Sequence, residues 1–174
     1  MMKVLGARGS IPDVELFLQK LMEFATKEHL TIQVLNADMI YGKEHLLSAA
    51  EHALRSWAQG TNATNSLALE ILLYAAGERQ IQKAIRKMGV RKGKQTVAFI
   101  LIDKEKHKRN RKAYDRIIDR LLDTFHLTSD DTVLEGNNDA LKHFGIAAEE
   151  LRTVPKTMYS DLVLERVAMV DVFK

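Results

Sequence analysis

Residues 67–76, Leu-Ala-Leu-Glu-Ile-Leu-Leu-Tyr-Ala-Ala, are apolar around nearly the whole circumference of a helix, with one charge at Glu70. A helix of this kind belongs at the centre of a domain, with other elements packed all round it. The chain must supply those elements. Its 174 residues match the usual length of one domain. Its 46% apolar content is enough for a real core. We therefore expect a single domain over residues 1–174.

The surrounding pattern predicts both helices and strands. Val14, Phe17, Leu18, Leu21, Met22 and Ala25 recur at helical spacing within 12–28. Residues 43–58 repeat the pattern, and 78–88, 111–125, 139–144 and 155–166 read as further helices. Gly77 stops the buried helix, and Gly89 closes the one after it. Residues 3–7 and 31–35 read as strands. The unbroken apolar run Val97-Ala98-Phe99-Ile100-Leu101-Ile102 reads as a buried strand, and 167–173 as a last strand. Gly6-Ala7-Arg8-Gly9-Ser10 reads as a tight turn. Interspersed strands and helices indicate an α/β (α+β) class, with one central mixed or antiparallel sheet packed by several helices.

Cysteine is absent, which removes disulfides and thiol chemistry together. No run of about 18 apolar residues spans a membrane, and the first residues lack a signal-peptide pattern. A cytoplasmic location is expected. Net charge is only +3 but uneven. Residues 79–94 hold Arg79, Lys83, Arg86, Lys87, Arg91, Lys92 and Lys94 with no acid, and 104–116 is rich in Lys and Arg. Such asymmetry steers a polyanion to one surface, or simply keeps the surface solvated.

The inventory for catalysis is thin. Gly89-Val90-Arg91-Lys92-Gly93-Lys94-Gln95 is one residue short of a phosphate loop, lacks its Ser or Thr, and leaves a helix for a strand rather than the reverse. His45 and His52 stand two helical turns apart, about 10.5 Å of rise, too far for one metal; they read as surface histidines. Glu70 reads as a structural anchor paired with a base such as Arg79. We expect no catalytic residue, no metal, no cofactor and no small-molecule substrate. One grouping stands out. A capped helix start near Asn65 and a stripe of Arg79, Lys83, Arg86 and Lys87 lie on consecutive helices joined at Gly77. Packed as a hairpin, they line a groove suited to single-stranded RNA, with Tyr41 and Trp57 offering stacking rings, although Trp57, on the inward side of the 43–58 helix, reads first as a core residue.

Leu35-Asn36-Ala37-Asp38, the run 65–72, the run 75–85 and the ending 164–170 resemble, in the same order, the kinase-binding, Cgi-type (TPRKB-like) subunit of the KEOPS complex. The resemblance implies an accessory subunit of a tRNA-modifying complex rather than an enzyme. That complex makes threonylcarbamoyladenosine beside the anticodon. Its Cgi-type subunit docks on the kinase-like ATPase subunit and, in archaeal members, holds the 3′ CCA end of tRNA. RNA contact is accordingly expected at Asn65, Arg79, Gln80 and Lys83, with Arg86 and Lys87 on the same stripe. The alternative is a pure protein adaptor that regulates the kinase subunit without touching RNA. Its partner face would be Met158, Leu162 and Val163 on the helix after Pro155, shared with the 12–28 helix.

Overall fold

The computed structural model describes residues 1–103 and 109–173. Its frame is a four-stranded antiparallel sheet in the order β2-β3-β1-β4. Strand β1 (Met2–Ile11) pairs along its length with β3 (Gly93–Asp103), from Met2 opposite Ile102 to Ile11 opposite Gly93. Strand β2 (Leu30–Asn36) pairs with the other side of β3, and β4 (Thr128–Ser129) adds two residues beside β1.

The unbroken apolar run in β3 has a simple cause: helices cover both faces. Val97, Phe99 and Leu101 pack with α1 (Val14–Lys27) and α5 (Arg111–Phe125), through Phe17, Leu21, Tyr114, Ile117, Leu121 and Phe125. Ala98, Ile100 and Ile102 point the other way, toward α2 (Lys43–Gln59), α3 (Leu67–Ala76) and α4 (Ile81–Met88). Alternate residues of a strand face opposite sides, so an antiparallel strand clad twice must be apolar throughout.

Helix α3 is the buried one the sequence predicts: Leu67, Glu70 and every residue from Ile71 to Ala76 are buried. Gly77 ends it with φ +62°, a left-handed conformation that glycine adopts without steric cost, and donates its N–H to the Tyr74 carbonyl. The next helix begins later than expected. Glu78, Arg79 and Gln80 form the turn, and α4 starts at Ile81.

Short helices α6 (Asn138–His143) and α7 (Ala148–Arg152) lead to α8 (Tyr159–Phe173). Here two expectations are corrected. Residues 167–173 are the end of α8, not a strand. The buried valines Val163, Val167 and Val170 recur at i, i+4 and i+7, and packing against α2 and α3 overrides the strand preference of valine. Residues 6–10 continue β1 instead of turning. A Cβ on Gly6 would stand 2.5 Å from the Asp130 carbonyl oxygen, so the glycine admits the chain from 130 beside the strand. Among the described residues no helix is long and apolar enough to cross a membrane.

Candidate nucleic-acid interface and docking groove

Two concave surfaces flank the α3–α4 pair. The first is a cleft of about 580 Å³ lined by Thr61, Ala63, Glu78, Arg79, Gln80, Lys83 and Phe173. Arg79 and Gln80 come from the turn after Gly77, and Lys83 from the first turn of α4. All three side chains are exposed. The Arg79 guanidinium lies 5.5 Å from the centre of the Phe173 ring and donates to the Phe173 carbonyl. Arg79, Gln80 and Lys83 are thus brought together as the sequence suggested, and Phe173 joins them from the far end of the chain.

The other predicted contacts part from this cleft. Arg86 is exposed on α4 but does not line it. Lys87 turns inward. Its ammonium donates to the Ala76 carbonyl at 2.8 Å, stands 4.8 Å from the centre of the Phe144 ring, and meets Glu78 at 3.5 Å. Burial holds its pKa below the usual lysine value, with the Glu78 carboxylate opposing. Asn65 faces the second surface. The Ala63 and Thr64 amides ahead of α3 are occupied by Glu70. Its carboxylate accepts from the Ala63 amide at 3.1 Å, the Thr64 amide at 3.0 Å, the Thr64 hydroxyl at 2.9 Å and the Ser56 hydroxyl at 3.3 Å. Glu70 is therefore an anchor, as expected, but it anchors a loop, while the expected partner Arg79 is engaged on Phe173.

The second surface is an apolar groove of about 620 Å³ along β2, the edge strand of the sheet. One wall is α1, the other the start of α3 with Trp57 and Ile85. Leu18 is 44% exposed, Met22 67%, Trp57 39% and Ile85 48%. The floor includes Thr31, whose buried hydroxyl has no hydrogen-bond partner among the described residues. Large apolar side chains gathered on one concave surface mark a docking site more often than chance exposure does. Trp57 thus lies on a surface, not in the core. The signal was in α1. Its apolar residues form two parallel rows, Phe17-Leu21-Ala25 and Val14-Leu18-Met22, and one core face needs only the first.

The predicted partner face does not assemble. Met158 is 44% exposed and Leu162 is half-buried against a small cluster of Leu141, Phe144 and Ile146, but Val163 is fully buried within that cluster. Helices α1 and α8 pack on opposite faces of the sheet, so they share no surface. Tyr41 packs on the same small cluster, away from the cleft.

His45 is also in the interior, not on the surface. Its Nδ1 accepts from the Tyr41 amide at 3.1 Å and its Nε2 donates to the Ala75 carbonyl at 2.8 Å, with the Phe144 ring edge-on at 5.1 Å. Burial pushes its pKa down to about 4; the Ala75 carbonyl opposes this and nearby Lys87 adds to it. His52 meets Asp171 at 2.7 Å and stacks on Tyr74. Among the described residues no three His, Asp or Glu side chains cluster as metal ligands would. In the basic stretch 104–116, residues 104–108 lie outside the described residues. Of the rest, Arg109 donates to the Glu28 carbonyl at 2.7 Å, and Arg111, Lys112 and Arg116 are exposed.

The family described as "Kinase binding protein CGI-121" has a model that matches residues 13–171. A protein of Methanocaldococcus jannaschii named "Regulatory protein Cgi121" is 30% identical over 154 residues, covering 83% of this chain and 86% of that protein. Matched along nearly all of its length, the chain belongs to the kinase binding protein CGI-121 family.

Proposed function

We propose that this protein is a non-catalytic, cytoplasmic subunit of a KEOPS-type complex. On this reading it docks on the kinase-like ATPase subunit and holds the 3′ CCA end of tRNA during threonylcarbamoyladenosine synthesis. The observation that carries the RNA half is the convergence of Arg79, Gln80 and Lys83 on one open cleft. Guanidinium, ammonium and side-chain amide groups together suit phosphates and the edges of unpaired bases. The apolar groove beside β2 supports the protein half. Its four large exposed side chains offer the buried anchors a protein partner needs, and we assign the kinase subunit to it in preference to Met158 and Leu162.

A gel-shift titration with CCA-ended tRNA tests the first half. Arg79→Glu with Lys83→Glu should weaken binding, and trimming the CCA tail should do the same to the unmodified protein. Binding that survives both changes would exclude RNA as the ligand of this cleft. The salt dependence should also flatten, by about 0.7 in log–log slope for each single-strand phosphate that the variant no longer neutralises.

The adaptor reading keeps one observation in its favour: the groove is apolar, whereas the cleft is lined by a carboxylate, Glu78, as well as by its cations. Capture of the kinase subunit, abolished by Met22→Asp, with no measurable tRNA affinity at any salt concentration would establish that reading.

A further inference from the structure

Phe173 is half exposed in the last turn of α8 and borders the cationic cleft. With Glu78 and Arg79 it also lines an adjoining cleft of about 320 Å³. The ring is open to two concave surfaces, yet it is held in place. Its own carbonyl accepts from Arg79, and the guanidinium lies over the ring at 5.5 Å. A cation on an aromatic face is attractive and fixes both groups. An oriented, half-exposed ring beside Arg79 and Lys83 is more than core packing requires.

We propose that Phe173 is the stacking platform for an unpaired nucleobase of the RNA strand whose phosphates Arg79 and Lys83 hold. This rests on the RNA reading of the cleft and deepens it. Every base has a π-face, so an aromatic ring captures an unpaired base whatever its identity, while neighbouring cations track the backbone.

The test is fluorescence anisotropy of a labelled CCA-ended tRNA against the full chain over a series of salt concentrations. Phe173→Ala should weaken binding about tenfold or more, the loss of one base–aromatic stack, and leave the salt slope unchanged. Phe173→Tyr should bind like the parent. Phe173→Leu keeps the apolar bulk and should behave like the alanine variant, which covers the case in which alanine disturbs the helix end. Lys83→Glu should weaken binding and flatten the salt slope. If Lys83→Glu weakens binding while Phe173→Ala and Phe173→Leu do not, stacking is refuted and the cationic cleft stands. If Phe173→Ala flattens the salt slope as Lys83→Glu does, the ring serves only to hold Arg79 and the proposal fails. If none of the variants changes affinity, the RNA reading fails, and the platform with it.

Discussion

The two ends of α3 are sealed by opposite means. At its start an acid from within the helix, Glu70, reaches back to collect the amides of Ala63 and Thr64 and the hydroxyls of Thr64 and Ser56. At its finish two bases from elsewhere collect its last carbonyls: His45 takes Ala75 and Lys87 takes Ala76. Both ends carry the charge that suits the helix dipole, the Glu70 carboxylate at the positive end and the Lys87 ammonium at the negative, while neutral His45 serves as a hydrogen-bond donor. They differ in reach. The acid end orders a surface loop, and the basic end is a buried cluster around Phe144. The difference teaches where a ligand can bind. The Ala63 and Thr64 amides are already taken, and an anion in the neighbouring cleft meets the side chains of Arg79, Gln80 and Lys83.

The acid end should break most expensively. Glu70→Ala removes the shared acceptor of the Ala63 and Thr64 amides and of the Thr64 and Ser56 hydroxyls, and the expected loss is about 3 kcal/mol or more, since a hydrogen bond to a charged group contributes about 1.5–3 kcal/mol. Urea denaturation measures it. Thr61 and Ala63 line the cleft, and Asn65 and Ser66 line the groove, so this one change should weaken both binding surfaces. Stability within about 1 kcal/mol of the parent, the worth of one ordinary hydrogen bond, would show that the loop orders itself without the carboxylate.

The basic end responds to pH. His45 is neutral in the folded state, with its pKa near 4 against about 6.5 unfolded. Between these values the unfolded chain binds the proton and the folded chain does not, so stability falls as pH drops from 6.5 to 4. Below pH 4 the contribution is constant. The gap, at about 1.4 kcal/mol per unit, sets a ceiling of about 3 kcal/mol. Comparing denaturation midpoints of the parent and His45→Gln at about pH 7 and about pH 5, on either side of the unfolded histidine value, isolates this share. An equal acid response in both proteins would put the pH sensitivity elsewhere.

Much of this was legible in the sequence, for reasons that can be named. Helix α3 and strand β3 are apolar on all sides that a partner covers, and no alternative placement suits such segments. Residues 167–173 were not legible as helix, because Val-Ala-Met-Val-Asp-Val-Phe alternates like a strand. Only the position of Val163 one turn earlier, and the packing of α8 on α2 and α3, decides it. The cleft was half legible. Arg79, Gln80 and Lys83 are near neighbours, so a turn and a helix start suffice to group them. Phe173 reaches them only through the path of α8, which no local pattern encodes. His45 was misread because its partners, the Tyr41 amide and the Ala75 carbonyl, are backbone groups that leave no mark in composition.

Lys83 and Lys87 give the finest contrast, because they sit one helical turn apart on the same short helix. Spacing predicts one stripe, yet Lys83 is open to the cleft and Lys87 is folded onto Phe144 and the end of α3. Tertiary contact alone separates them. Lys87→Met keeps the aliphatic stem but leaves the Ala76 carbonyl without its donor, so it should cost about 1–3 kcal/mol in urea denaturation and leave tRNA affinity unchanged. Lys83→Met should do the reverse. An exposed substitution of this kind alters stability by no more than about 0.5 kcal/mol, while on the RNA reading of the cleft the loss of the ammonium lowers both affinity and its salt dependence. If the two variants behaved alike in both measurements, the helix would present a single cationic stripe to RNA, and the division between a supporting lysine and a binding lysine would be wrong.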